Sequence, residues 1–160
     1  KKMKNKINSS DFILIVQGDE VCISKDILDK FCKKIIKSNN DYFNLVSKIN
    51  LKKDFFSNSV VKCALNNKDE IIFMTRHSIP FPKNNKLKKI NTYRQSGIIA
   101  FSKKSLLNFS KLKKHYLEKY ESIDMLRILE NSSVIKAQKI NKRMIGIDTL
   151  KDHKEATTLL

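Results

Sequence analysis

Two aspartates, Asp19 and Asp148, occupy the same kind of position in the sequence. Each follows a short apolar stretch, Ile13–Val16 or 145–147, and each comes just before a predicted helix. Ligands of open α/β sheets bind at the carboxyl ends of the strands, so we expect both side chains at one edge of a sheet. Paired carboxylates suit Mg²⁺ that also bridges the oxygens of a triphosphate.

A simpler interpretation of both aspartates stays open. Asp19 can belong to an acidic turn that caps the following helix, and Asp148 can be a favourable charge beside Thr149 at a helix N-terminus. Gly18 is predicted to lie where the backbone turns or approaches a ligand closely, because it has no side chain there.

The apolar spacing predicts alternating strands and helices with one β-hairpin inserted in the middle. The first strand, Phe12–Val16, is expected to be buried on both faces. Ser24 and Ser102 are predicted helix N-caps. The pattern is typical of an α/β sandwich with a largely parallel sheet, in a single domain that spans residues 1–160. The other predicted strands are 43–49, 93–101, 134–137 and one that ends at 145–148, with the hairpin at 59–74; the predicted helices are 25–37, 102–109, one that begins at 122, and 150–159.

The formal net charge of +17 favours anionic partners such as nucleotides, nucleic acid or acidic sugars. The lysines are scattered, however, so a solvated basic surface explains the charge equally well. Three widely spaced cysteines without a zinc-type pattern indicate a reducing compartment. No apolar run is long enough to cross a bilayer, so we predict a cytoplasmic protein without a membrane partner.

Five segments, in chain order, carry a resemblance to one enzyme family. They resemble the motifs of the 3-deoxy-manno-octulosonate cytidylyltransferases, the CMP-Kdo synthetases, and together they cover nearly the whole chain. The segments are Gln17-Gly18-Asp19-Glu20, Ile72-Phe73-Met74-Thr75-Arg76 with Ile79-Pro80-Phe81-Pro82, Tyr93-Arg94-Gln95-Ser96-Gly97-Ile98, Glu121-Ser122-Ile123-Asp124-Met125-Leu126-Arg127, and Gly146-Ile147-Asp148-Thr149.

The resemblance implies a nucleotide-diphospho-sugar transferase-like (Rossmann-like) fold, a three-layer sandwich with a mostly parallel sheet and an inserted hairpin. Nothing before Asp11 resembles the strand and phosphate-binding loop that open family members. We therefore expect the chain to be the C-terminal part of a cytidylyltransferase domain, with the N-terminal strands missing and with activity incomplete on its own.

The resemblance also implies a reaction, in which CTP and a 3-deoxy-ulosonic acid give the CMP-sugar and pyrophosphate for surface polysaccharide or lipopolysaccharide synthesis. It implies a homodimer formed through the hairpin region. Arg76 would pair with the sugar carboxylate, although a surface cation at a strand end is the alternative. The implied catalytic residues and Mg²⁺ ligands are Asp19 and Asp148, and the implied substrate-binding residues are Gln17, Gly18, Arg76, Gln95 and Asp124.

Several positions depart from the family motifs. Gln95 stands where the family has His, Ile99 where it has Tyr, and Asp124-Met125 where it has Glu-Gln. The resemblance places these positions against the sugar, so the sugar can be Kdo or a related acid, such as an amino-substituted ulosonate or a neuraminate-like acid.

Two other functions remain open from the sequence. A non-catalytic basic module could bind nucleic acid through Lys83–Lys89 with Tyr93 and through Lys111–Lys114 with Tyr116, although we expect no nucleic-acid partner. An inactive homologue could keep the dimer surface and lack turnover.

Overall fold

The computed structural model of the protein describes residues 8, 11–81, 83, 92–147 and 150–158. Six strands and six helices are found in these residues. The strands are β1 (Phe12–Val16), β2 (Tyr42–Lys48), β3 (Lys62–Leu65), β4 (Glu70–Thr75), β5 (Tyr93–Ser102) and β6 (Ile135–Ile140). The helices are α1 (Lys25–Ile36), α2 (Lys52–Phe56), α3 (Lys103–Phe109), α4 (Tyr116–Glu121), α5 (Leu126–Glu130) and α6 (Leu150–Thr157).

The six described strands form one mixed sheet in the order β1-β5-β2-β6-β4-β3, and a further pairing of β5 with β3 closes five of them into a ring. Only β2 and β6 pair in parallel; the other five pairings of the described strands are antiparallel. The expected mostly parallel sheet is therefore wrong for this part of the chain. Alternation of strands and helices in the sequence does not fix which strands become neighbours.

Helices pack on both faces of the sheet, as the alternating side chains of β2 show. Tyr42 and Val46 contribute to a core cluster that includes residues from the segments of α3, α4 and α5. Phe43 and Leu45 contribute to a second cluster with residues of α1 and α6. Successive side chains of a strand point to opposite faces, so two hydrophobic layers stabilise the sheet.

The expectation that β1 is buried on both faces is wrong. Ile15 and Val16 are 38% and 43% exposed. Among the described strands β1 pairs with β5 alone, so one edge of β1 receives no strand. The apolar run predicted the strand correctly but could not tell an edge strand from a central one.

Other element predictions are confirmed or need correction. The hairpin, the helix at 25–36 and the N-cap at Ser102 are present. The predicted strand at 145–148 is wrong within the described residues, where Gly146 forms only an isolated bridge with Glu20. The helix expected from residue 122 begins at Leu126, and α2 is a helix that the apolar spacing did not predict. No helix in the described ranges is both long and apolar enough to cross a membrane.

Candidate functional site

A cleft of about 490 Å³ brings together five of the seven predicted site residues. They come from the β1–α1 turn, the end of β4, the first half of β5 and the segment before α5. The chain positions are distant, so the tertiary fold alone makes them neighbours. The five residues are Gln17, Asp19, Arg76, Gln95 and Asp124. Gly18 does not line the cleft, and Asp148 lies outside the described residues.

The turn after β1 is held against β5 by backbone hydrogen bonds. Gln17 donates its N–H to the Gly97 carbonyl at 3.0 Å, and Glu20 donates to the Gln17 carbonyl at 3.2 Å. A Cβ built on Gly97 would lie 2.1 Å from Gln17 Oε1 and 2.8 Å from Gln17 Cβ. Gly97 therefore leaves the space that lets the Gln17 side chain cross β5 and reach the cleft.

Gly18 lies in the turn between β1 and α1, so the predicted turn of the backbone is confirmed. A Cβ on Gly18 would meet no atom of the described residues within 4 Å, and its φ is not positive. The close approach of a ligand at this residue stays a prediction.

The segment that follows β6 packs against Asp19. Ile147 donates its N–H to the Asp19 carbonyl at 3.2 Å, and a Cβ on Gly146 would lie 3.1 Å from Asp19 Oδ2. Within the described part of the chain the Asp19 carboxylate has no hydrogen bond and no ion pair. No described group occupies its oxygens, so they could accept a ligand in the cleft; the pairing with Asp148 stays a prediction.

Glu20 is a cleft residue that the sequence did not single out. The side chain is buried; Oε1 accepts a hydrogen bond from the Gly97 N–H, while no described group bonds to the buried Oε2. Burial raises the pKa of the Glu20 carboxyl, and the neighbouring Asp19 adds to the rise, although the Gly97 hydrogen bond and Arg94 oppose it. Glu20 thus places a desolvated carboxyl directly beside Asp19.

The Arg76 side chain donates hydrogen bonds to three backbone carbonyls. Its Nε donates to the Glu121 carbonyl at 2.8 Å, Nη1 to the Asn58 carbonyl at 3.1 Å, and Nη2 to the Ser122 carbonyl at 3.4 Å. A guanidinium has five N–H donors, so two remain for a ligand in the cleft. Arg76 therefore lies at the end of β4 on three backbone hydrogen bonds, and both its pairing with a sugar carboxylate and its role as a surface cation stay predictions.

The Glu121 carboxylate fixes the backbone on which Arg76 stands. One oxygen accepts from Thr75 Oγ1 at 2.6 Å, and the other accepts from the Arg76 N–H at 2.8 Å. These two hydrogen bonds join the end of β4 to the end of α4. The backbone of Arg76 is consequently fixed at the junction of β4 and α4.

Lys62 stabilises the same junction of β4 and α4 from the buried side. The side chain is fully buried, and its ammonium donates to the carbonyls of Ser57, Val60 and Arg76. Burial and, to a lesser extent, the nearby charge of Arg76 lower the pKa of Lys62 to about 8, while Glu121 opposes the change. All three N–H groups of the charged form are therefore satisfied by backbone carbonyls.

Arg94 is a second cation of the cleft that the sequence analysis did not assign. Its Nε is buried and no described group accepts a hydrogen bond from it. Burial lowers the pKa of the Arg94 guanidinium, and the carboxylates of Asp54 and Glu20 oppose this. The signal available in the sequence was its position beside Gln95 in the Tyr93–Ile98 segment.

A charged network forms the far wall of the cleft and was also missed. Arg143 donates to both carboxylate oxygens of Asp54, at 2.9 and 2.8 Å, and to Glu155 Oε1 at 2.6 Å. Lys53 also pairs with Glu155. The network connects α2, the segment after β6, and α6.

Two of the departures from the family motifs do not face the cleft. Ile99 and Met125 are 4% and 0% exposed, and both belong to the core cluster with Tyr42 and Val46. Gln95 and Asp124 do line the cleft. The described residues contain no group of three or more His, Cys, Asp or Glu side chains that could hold a metal ion by themselves.

Comparison with known proteins gives consistent matches. A family model described as Cytidylyltransferase matches residues 1–140. The 3-deoxy-manno-octulosonate cytidylyltransferase of Christiangramia forsetii is 32% identical over 153 residues, which are 94% of this chain and 61% of the relative. The same-named protein of Thermodesulfovibrio yellowstonii is 29% identical over 150 residues, 91% of this chain and 59% of the relative. The chain thus spans about 60% of the length of these curated relatives.

The solved structures support the same fold. A CMP:2-keto-3-deoxy-manno-octonic acid synthetase complexed with CTP superposes with a TM-score of 0.84 at 23% identity, over 99% of this chain and 64% of that one. An inositol-1-phosphate CTP transferase from T. maritima gives a TM-score of 0.62 at 16% identity, over 99% of this chain and 58% of that one. At these identities the likeness establishes a nucleotidyltransferase-like α/β fold.

Proposed function

The chain belongs to the cytidylyltransferase family, and on that premise we propose that its cleft transfers CMP from CTP to an acidic 3-deoxy-ulosonic sugar. The observation that carries the proposal is the convergence of Gln17, Asp19, Arg76, Gln95 and Asp124 on one cleft. Curated relatives at about 30% identity are named for this reaction with 3-deoxy-manno-octulosonate. Kdo is therefore the first candidate sugar.

In the proposed reaction the anomeric hydroxyl oxygen of the sugar forms a bond to the α-phosphorus of CTP. The bond from that phosphorus to the bridging oxygen breaks, the hydroxyl loses its proton, and pyrophosphate leaves. Both reactants are anionic. Among the described cleft cations, Arg76 and Arg94 have no carboxylate of a described residue within 4.0 Å, whereas Lys53 and Arg143 do. We assign the recognition of substrate anions to Arg76 and Arg94.

We propose Mg²⁺ as the cofactor, held by Asp19 and Asp148. The Asp19 carboxylate, which has no partner among the described residues, fits this group, because hard oxygen ligands are those that Mg²⁺ prefers. When bound, the ion would neutralise the charge that develops on the phosphate oxygens. The backbone contact between Asp19 and Ile147, the residue before Asp148, supports the pairing of the two aspartates.

The identity of the sugar depends on Gln95. An amide donates and accepts hydrogen bonds but carries no charge, unlike the imidazolium that a histidine could provide there. We propose that Gln95 contacts a neutral hydroxyl or amide substituent of the acceptor, so Kdo and amino-substituted ulosonates are the sugars to compare.

The test is pyrophosphate release by the intact protein with CTP and Mg²⁺, with Kdo, an amino-substituted ulosonate or N-acetylneuraminate as acceptor. We expect turnover with at least one acceptor. Asp19→Asn should lower kcat/KM by about 10²–10³-fold, the scale of removing one preorganised contact to transition-state charge. Asp29→Asn is the matched control, since Asp29 is half-exposed on α1 and pairs only with Lys25 among the described residues. CTP binding without turnover on any acceptor would indicate an inactive homologue.

The nucleic-acid alternative is favoured by one observation. The rings of Tyr116 and Tyr120 lie 4.6 Å apart on α4 and are 64% and 77% exposed, beside Lys113 and Lys114. The other basic stretch, 83–89, lies outside the described residues except for Lys83. Tight, salt-sensitive RNA binding together with no response to CTP would support this alternative.

We also propose that the protein acts in the cytoplasm as a homodimer. Phe81 is 82% exposed and follows the hairpin, and Ile72 of β4 is 60% exposed. Large exposed apolar side chains on the hairpin and just after it would fit an interface.

A further inference from the structure

Arg143 connects three separate parts of the chain, the segment after β6, α2 and α6, through hydrogen bonds. Its planar guanidinium grips the Asp54 carboxylate of α2 through two parallel hydrogen bonds at 2.9 and 2.8 Å, and it donates to Glu155 of α6 at 2.6 Å. The three side chains are 19%, 10% and 24% exposed. A bidentate arginine–carboxylate pair with this degree of burial fixes orientation as well as distance.

The residues that follow Arg143 form the support behind Asp19. Met144 and Ile145 are buried in the core next to α1. Gly146 then bridges to Glu20, and Ile147 donates to the Asp19 carbonyl at 3.2 Å. The segment 143–147 is therefore anchored at its start by Arg143 and touches the Asp19 turn at its end.

From this geometry, and resting on the proposed function, we infer that Arg143 is a positioning residue that sets the Asp19 carboxylate for metal binding. Arg143 contacts the metal ligand only through the backbone of 144–147. Loss of its guanidinium would leave Asp54 without its partner in a nearly buried position. The carboxylates of Asp54 and Glu155 would then repel each other without the guanidinium that pairs with both, and the segment behind Asp19 would shift.

Metal affinity gives the test, because Mn²⁺ can replace Mg²⁺ and is detected by electron paramagnetic resonance. The intact protein is titrated with Mn²⁺ in the presence of CTP. Arg143→Gln should raise the dissociation constant of Mn²⁺ by about 10- to 100-fold, the usual effect of removing a residue that orients a metal ligand. Arg143→Lys keeps the charge without the planar fork and should recover part of the loss.

Arg127→Gln is a matched control. Arg127 makes a similar two-bond pair with Glu118, with side chains 12% and 4% exposed, but it does not line the cleft. The control should lower thermal stability by a comparable amount and leave Mn²⁺ affinity within about twofold of wild type.

The outcomes separate the inference from the proposed function. A wild-type protein that releases pyrophosphate and binds Mn²⁺, with an unchanged Mn²⁺ constant in Arg143→Gln, overturns the inference alone. Equal loss of Mn²⁺ affinity in Arg143→Gln and Arg127→Gln also overturns it, because general loosening would then be the cause. A wild type with neither turnover nor Mn²⁺ binding overturns both.

Discussion

The surroundings of Gly97, which lines the cleft, differ from those of Gly18, which does not. The Gln17 side chain lies so close to Gly97 that a methyl group added to Gly97 would lie 2.1 Å from Gln17 Oε1. Gly18, in contrast, has open space around it. Since the Gln17 Cβ would also be only 2.8 Å away, rotation of the glutamine side chain cannot relieve the whole clash.

We therefore predict that Gly97→Ala lowers the free energy of unfolding by about 1–3 kcal/mol, the usual cost of overpacking. Gly18→Ala, the control, should change it by less than about 0.5 kcal/mol. Urea denaturation of both variants measures the difference. Equal effects of the two substitutions would contradict the packing argument.

Helix capping differs between the two serines that the sequence assigned as N-caps. Both precede a helix in extended backbone conformation. Only Ser102 accepts a side-chain hydrogen bond from the third residue of its helix, at 3.1 Å from the Ser105 N–H; Ser24 makes no such bond. Ser102 also donates to Asp41, which joins the start of α3 to the segment before β2.

Ser102→Ala should consequently destabilise the protein by about 1 kcal/mol, the typical cost of losing a capping side chain. Ser24→Ala should cost only a few tenths, because no hydrogen bond is lost. Thermal unfolding monitored by circular dichroism compares the two. A larger loss for Ser24→Ala would show that the cap at α1 forms in solution.

At the scale of the whole molecule, the exposed apolar side chains near the hairpin test the proposed dimer. Phe81→Ser should reduce the sedimentation mass of the intact protein from two copies to one, because an interface loses a large apolar contact. Tyr120→Ser, an equally exposed aromatic on α4, should leave the mass unchanged. A wild type that sediments as one copy at micromolar concentration would refute the dimer.

The sequence by itself determined several local elements and the family to which the chain belongs. Period-3.6 apolar spacing located α1, and alternating apolar stretches located the hairpin strands. The motifs predicted Asp19, Arg76, Gln95 and Asp124 as site residues, and the structure brings these four to one cleft. Each of these elements and motifs is defined by residues that lie close together in the chain, so each can be found without knowing the tertiary structure.

Only the tertiary structure decided which strands are neighbours and which charged side chains lie next to the motif residues. β5 pairs with β1, β2 and β3, three strands that precede it in the chain at widely different distances. The same long-range packing creates the buried surroundings of Glu20 and Arg94 and brings Arg143 to Asp54, 89 residues away. Local patterns carry no information on such contacts, because burial and charge pairing arise only when distant segments exclude water from each other.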